Sequence, residues 1–378
     1  MKKIKNVGFV AFAALGLVAG LTSCGPKNYE IALITDLGDI DDQSFNQGAW
    51  EGVKAYAKEH GISHQYYKPG GQSTTEYVEM IDLAVNNGAK VVVTPGYLFE
   101  EPIFICQDKY PDVHFILLDG EPHSGDYSEF KTNANVQPIL YAEEQSGYLA
   151  GYAAVKDGYR KLAFMGGMAV PAVKRFGLGY LIGIDDAATE LGLTEIIPVK
   201  YHYTGNFKAS LEALSKAETW YQSGSEIIFA CGGAVGLSVM QAAEGKNGKV
   251  IGVDVDQGHM SDTVITSAVK GLAASVIQAL TAHYDGTWEG GTTWNLDASK
   301  DGVGLPTKEE SWKFETFTLA EYQAVFAKLV DGTVDVAARL PENYLVEGDT
   351  DEEKAANAKA TVEALDEVLT KITVTYEA

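Results

Sequence analysis

Cysteine is scarce in this chain of 378 residues, with three in all, at positions 24, 106 and 231. Cys106 and Cys231 lie in apolar runs and read as small buried hydrophobes. A chain this long buries enough surface to fold without disulfide staples. Positive charge is short as well: 29 Lys and Arg face 52 Asp and Glu, a net charge of −23. Repulsion at that level argues against nucleic acid and against anionic lipid surfaces as partners. No P-loop and no G-x-S-x-G occurs, no G-x-G-x-x-G opens a helix after a strand, and the seven histidines form no zinc-site motif. ATP chemistry within the chain, a serine nucleophile, a dinucleotide fold and a zinc centre are thereby disfavoured.

Long hydrophobic runs are missing too, save one. Lys2, Lys3 and Lys5 precede an apolar stretch over residues 7–21, which ends in Leu21-Thr22-Ser23-Cys24. About 15 apolar residues fall short of the roughly 20 that a spanning helix needs, so residues 1–23 read as a cleaved signal peptide. The L-x-S-C ending resembles a bacterial lipobox. Cys24 would then carry lipid, become the mature N-terminus and hold the protein on the outer face of a membrane.

What remains is an almost unbroken alternation of strand-like and helical segments. Short apolar runs at 31–35, 91–95, 114–119, 162–165, 197–203, 227–231 and 250–254 alternate with helical periods. Ser44-x-x-Gln47 and Ser73-x-x-Glu76 have capping-box spacing, and Gly61, Gly88 and Gly192 mark helix ends. A strand at 264–267, a helix at 271–284, short strands and turns over 286–306, and helices at 319–330 and 351–369 complete the expectation. Strands alternating with helices of this length mean βαβ units and parallel sheets, and two successive sets point to two doubly wound lobes.

Nearly all conspicuous side chains fall at strand carboxyl ends, where open α/β sheets bind ligands. Asp36, Asp119, Gly232-Gly233, Asp254 and Asp256 are so placed. Carboxylates there suit a hydroxyl-rich ligand, and exposed rings suit a planar base or a sugar face. Asp42 reads instead as a turn or helix-dipole residue.

Residues 36–52 resemble the opening signature D-x-G-x-x-D-D-x-S-F-N-x-x-x-x-E-G of the basic membrane protein (BMP) family. Glu144-Gln145-Ser146-Gly147-Tyr148-Leu149-Ala150-Gly151, Gly166-Gly167-Met168, Ile228 through Gly233, Ile251 through Gln257 and Thr266 through Gly271 extend the likeness in order. The resemblance implies a type I periplasmic-binding-protein fold: two doubly wound parallel-sheet lobes joined by a three-strand hinge. The N-lobe is expected over 24–143 plus 268–298 and the C-lobe over 144–267 plus 299–378. It implies a lipoprotein receptor without cofactor, working as a monomer with an ABC permease and ATPase and binding a purine nucleoside by hinge closure.

Carried over by the resemblance, Phe45 and Phe207 would stack on the two faces of the base and Asp119 would bond its edge. Asp36, Asp254 and Lys270 would address ribose and ring nitrogen atoms, with Asn46 and the Gly233 backbone completing the polar set. Lys208-Ala209 follow Phe207 where the family pattern has an aspartate. A sugar or autoinducer receptor on the same fold is the nearest rival, and a surface receptor without a transporter is another. The run Thr35 to Asp42 is also similar to the calcium-binding opening of nucleoside hydrolases. Here, however, Ile34 takes that motif's first position and an extra residue precedes Asp41-Asp42.

Overall fold

The computed structural model describes residues 28–346 and 350–377. The expected leader and Cys24 lie outside them. The chain opens with β1 (Ile31–Ile34), α1 (Phe45–His60), β2 (His64–Tyr67), α2 (Thr74–Asn86), β3 (Val91–Pro95), α3 (Glu100–Lys109), β4 (His114–Leu118) and β5 (Val136–Tyr141). It continues with α4 (Glu143–Lys156), β6 (Leu162–Gly166), α5 (Pro171–Glu190), β7 (Ile197–Tyr203), α6 (Leu211–Gln222), β8 (Ile227–Cys231), α7 (Val235–Lys246), β9 (Lys249–Asp254) and β10 (Val264–Lys270). The last elements are α8 (Leu272–Tyr284), β11 (Trp294–Leu296), β12 (Val303–Gly304), α9 (Leu319–Val330), α10 (Asp351–Asp366) and β13 (Ile372–Tyr376).

Two sheets result, in the orders β11-β5-β4-β3-β1-β2 and β12-β10-β9-β8-β6-β7-β13. Every pairing is parallel except β10 with β12. The second lobe thus repeats the first: β7-β6-β8-β9-β10 has the order of β2-β1-β3-β4-β5. Each sheet reverses its winding beside its first strand, at β1/β3 and at β6/β8, which is where such sheets hold ligands. The chain passes from one sheet to the other after Tyr141, after Lys270 and after Leu296.

The central strands are apolar and buried along their whole length, because helices cover both faces. In β1, Ile31 and Leu33 face α1 while Ala32 and Ile34 face Tyr77 and Ile81 of α2. In β6, Leu162 and Phe164 share a core with α4 and α5, whereas Ala163 and Met165 meet α6 and α7. Cys106 and Cys231 are buried free thiols. The C-terminal strand β13, which lies beyond the last helix expected from sequence and was not anticipated, adds in parallel to β7 and closes that edge. Its Ile-Thr-Val-Thr-Tyr run has strand composition, but the pairing that makes it a strand lies more than 170 residues away.

Helices α4 and α5 are drawn together by glycine. A Cβ on Gly147 or Gly151 would fall on the carbonyl oxygens of Phe176 and Tyr180, and one on Gly179 or Gly183 on those of Glu144 and Tyr148. The backbones touch directly, so the spacing has no room for a methyl group. Gly179→Ala should cost about 1–3 kcal/mol, the usual penalty of overpacking, despite alanine's better helix propensity. Gly245→Ala in α7, with nothing within 4 Å of the added Cβ, should be neutral or stabilising by up to about 1 kcal/mol. Denaturant melts of the two variants check the contrast, and equal behaviour would contradict the close approach.

Candidate ligand-binding cleft

The carboxyl ends of the two sheets face each other across a cavity lined by residues of both lobes. The first lobe contributes Asp36 after β1, Gly96 and Tyr97 after β3, and Asp119 after β4. The second contributes Phe207 after β7, Gly232 and Gly233 after β8, and Asp254 and Lys270 as the last residues of β9 and β10. All eight residues singled out from sequence as ligand contacts line this one cavity: Asp36, Phe45, Asn46, Asp119, Phe207, Gly233, Asp254 and Lys270. Asp256 does not. Its carboxylate accepts from Ser311 Oγ and from the Gly258 N–H, closing a turn.

Sequence reasoning missed the apolar wall made by Val170 to Val173 and Phe176 at the start of α5, and it missed Tyr97. The repeat of strand order held the missing signal. The segment between β6 and α5 is the counterpart of the one between β1 and α1, so it had to border the same cleft.

The loop from Asp36 to Ser44 is built around two carboxylates. Asp36 Oδ1 accepts from the Gly38 N–H and from Asn46 Nδ2, both at 2.8 Å, and Asn46 Oδ1 accepts the Asp36 N–H at 3.2 Å. Asp42 takes the N–H groups of Ser44, Asn46 and Gln47 at 2.9–3.1 Å, together with Asn46 Nδ2 at 3.0 Å. Asp42 therefore caps α1, the dipole role expected of it. The box read at Ser44-x-x-Gln47 does not form. Ser44 makes no capping bond, because its hydroxyl donates across the cleft to Asp254 Oδ2 at 2.5 Å. The box at Ser73 and Glu76 forms as read. Nor do the carboxylates of this loop converge as calcium ligands would: Asp39 pairs with Lys68, and Asp42 is consumed by the helix. Among the described residues, no group of three or more His, Cys, Asp or Glu is placed to hold a metal ion. His114 and His283, distant in sequence, do meet at 2.8 Å between their Nδ1 atoms, but at the end of β4 remote from the cavity.

Lys270 is the electrostatic centre. Its Nζ lies 2.5 Å from Asp119 Oδ2, 3.4 Å from Glu143 Oε1 and 3.6 Å from Asp254 Oδ1. It also stands 4.4 Å from the centroid of the Phe45 ring, close enough for a cation–π contact. Glu143, fully buried at the first crossing between lobes, is held by Arg175 at 2.6 Å. Burial works against the lysine's charge, but Asp119, Asp254 and Glu143 overcome it and raise its pKa. Two cations thus serve three carboxylates, and Asp119 is the one that gives way. Burial, with Glu143 adding to it, pushes its pKa up to about 7 against the pull of Lys270. Burial likewise pushes Asp36 up to about 6. Asp119 Oδ1 is buried and has no hydrogen-bond partner among the described residues. Asp119 and Asp254 both take left-handed backbone conformations, with φ of 58° and 66°. That strain, about 1–3 kcal/mol per residue, is of the kind that clusters at ligand clamps.

A pH dependence follows. Asp119 titrates near 7 in the fold and near 4 in the unfolded chain. The folded state therefore holds a proton that the unfolded state has released. The stability this gives is complete below about pH 4 and is lost as pH rises through 7. The half-buried His283, lowered to about 4 by desolvation and by His114, works in the opposite sense below pH 6.5, so the difference between variants is the clean readout. The melting temperature of Asp119→Asn minus that of wild type should rise by several degrees from pH 5 to 7 and level off above. A flat difference would show that Asp119 is not the proton-holding group.

Comparison with known proteins places this geometry. The profile of the family described as Bmp, ABC transporter substrate-binding protein PnrA-like, matches residues 30–333. The ABC transporter nucleoside-binding protein BmpA of Lactococcus lactis is 27% identical over 335 residues, covering 80% of this chain and 91% of that protein. An uncharacterized lipoprotein of Pyrococcus horikoshii is 26% identical over 369 residues, covering 91% and 87%. Among solved structures, an ABC transporter solute-binding protein of Aeropyrum pernix superposes with a TM-score of 0.65 at 24% identity, covering 89% of this chain and 86% of that one. It shares the two-lobed fold. The chain belongs to the Bmp family of PnrA-like ABC transporter substrate-binding proteins.

Proposed function

We propose that this protein is the lipid-anchored receptor of an ABC importer, and that it binds a nucleoside of the purine class rather than transforming one. One observation carries the ligand reading. The cavity combines an aromatic ring from each lobe, Phe45 and Phe207, with a buried carboxylate oxygen, Asp119 Oδ1, that nothing among the described residues satisfies. A planar base offers stacking faces to the rings and polar edge atoms to the carboxyl group. Asp36, Asp254 and Lys270 would then take up ribose hydroxyls and ring nitrogen, with Asn46 and the Gly233 backbone at the margin. Stacking on a base contributes roughly 1–3 kcal/mol and each charge-assisted bond about 1.5–3 kcal/mol. A few of each reach the roughly −8 kcal/mol of a micromolar site after ordering costs. The name of the Lactococcus lactis relative, a nucleoside-binding protein, supports the same class.

In this reading the two lobes rotate about the three crossings. Ligand meets Phe45 and Asp119 first, and the second lobe brings Phe207, Gly233, Asp254 and Lys270 over it. The closed form engages a permease whose ATPase supplies the energy. The lipobox at Cys24 and the lipoprotein name of the Pyrococcus horikoshii relative support anchoring on the extracytoplasmic face.

Calorimetry of the protein lacking residues 1–24 against inosine, guanosine, adenosine, free bases, ribose and hexoses tests the ligand. Saturable binding of an intact nucleoside is expected, and a response to hexoses alone would overturn the reading. Phe45→Ala and Asp119→Ala should each weaken binding at least tenfold, about 1.4 kcal/mol, with near-native circular dichroism. Wild-type affinity in both would remove the cavity from the account. Cys24→Ser should move the protein from the membrane fraction to the soluble one, and unchanged fractionation would refute the anchor.

A further inference from the structure

Gln257 closes the motif Val253-Asp254-Val255-Asp256-Gln257, lies outside the cavity wall and is only 1% exposed. Its polar groups are almost fully engaged. Its side-chain Oε1 accepts the Val253 N–H at 3.1 Å, its backbone N–H donates to Ser267 Oγ at 3.0 Å, and its carbonyl accepts the Met260 N–H at 3.0 Å. The remaining bond leaves the second lobe: Nε2 donates to the carbonyl oxygen of Gln43, in the first lobe, at 2.8 Å.

We propose that Gln257 is an interlobe positioning residue, which locks the Asp254 turn to the entrance of α1 so that cleft closure and the placement of Asp254 are one event. Gln43, which it bonds, and Asp254, which follows the bonded Val253, are both in the left-handed region, with φ of 58° and 66°. Neither is glycine, so each conformation needs outside support. Gln257 supplies it at both ends, fixing the N–H just before Asp254 and the carbonyl of Gln43. The next residue on each side repeats the connection, since Ser44 Oγ donates to Asp254 Oδ2. The Val255 side chain meanwhile packs where Gly48 has no side chain. Consecutive residues of α1's entrance are thus tied to consecutive features of the β9 turn. An amide is the side chain that can accept from one lobe and donate to the other through a single planar group. The nearby charges are otherwise engaged: Asp42 with α1, Asp254 with Ser44 and Lys270, Asp256 with Ser311, and Lys313 with the carbonyls of Gly258 and Ser261.

Gln257→Glu separates the two halves of this role. It keeps the acceptor for Val253 but sets a carboxylate oxygen against the Gln43 carbonyl, and only the protonated acid restores a donor. The decisive measurement needs no ligand. Donor and acceptor dyes at Glu79→Cys and Ser215→Cys of the protein lacking residues 1–24, one exposed site on each lobe, report the interlobe distance; the remaining thiols, Cys106 and Cys231, are buried. Gln257→Glu should shift the distance distribution outward at pH 8 and return it to that of wild type at pH 5.5, each compared with wild type at the same pH. Gln257→Met, without a charge to bury, should be shifted outward at both pH values, and keeps the test open should the glutamate variant fail to fold. Distances identical to wild type in both variants at both pH values would overturn the proposal. So would a lowered melting temperature without a pH-reversible shift in Gln257→Glu. A second readout rests on the nucleoside reading: inosine should dissociate at least fivefold faster from Gln257→Glu at pH 8 and at the wild-type rate at pH 5.5. If inosine does not bind wild type, the nucleoside reading fails while the distances still decide the role of Gln257.

Discussion

The structure turns on one buried ammonium. Lys270 ends the last long strand of the second sheet, at the point where the chain leaves for the first lobe, and its Nζ reaches Asp119 on the opposite side of the cleft. A buried charge is tolerable only when paired and hydrogen-bonded. The cleft walls must therefore present carboxylates to it, and Glu143, at another crossing, is in turn fixed by Arg175. The same group that neutralises the cavity floor thus joins the crossings between lobes to the ligand wall. A ligand that competes for Asp119 or Lys270 acts directly on the balance of contacts that holds the lobes together.

This arrangement carries more negative than positive charge, and the chain accommodates the excess without a metal ligand set among the described residues. Asp42 spends its charge on the N-terminus of α1, where backbone N–H groups and the helix dipole favour it. Asp36 is neutralised in part by bonds from Gly38 and Asn46, and Asp119 holds its proton to about pH 7. Three carboxylates close together thus take three roles: a cap, a loop clasp and a proton-holding wall group. A carboxyl group that titrates near neutrality can both donate and accept hydrogen bonds in the cleft.

Duplication of strand order explains why the cavity sits where it does. Each sheet reverses direction beside its first strand and leaves a crevice at its carboxyl end, and two such crevices set face to face make one enclosed space. The glycines between α4 and α5 belong to the same design, bringing those helices to backbone contact beneath the second sheet.

Much of this was legible in the chain. Apolar runs bounded by turns fixed most strands, and helical periods with caps fixed most helices, because buried parallel strands and amphipathic helices impose those patterns locally. The positions of Asp36, Asp119 and Asp254 at strand ends sufficed to bring them into one cleft once the sheets were known to face each other, whereas Lys270 was indicated by the family resemblance alone. Partnership between distant residues was not legible. Ser44 carries the spacing of a helix cap, yet its hydroxyl serves Asp254, 210 residues away. Gln257 looks like one more polar residue in a family motif, and only the closed arrangement puts it against Gln43. Strand β13 and the wall at Val170 to Phe176 were missed for the same reason. Sequence determined which segments are buried and where charge sits along them, since those follow from local chemistry. Which charge meets which, and which donor crosses between lobes, was decided only when two sheets far apart in sequence closed on each other and removed water from between them.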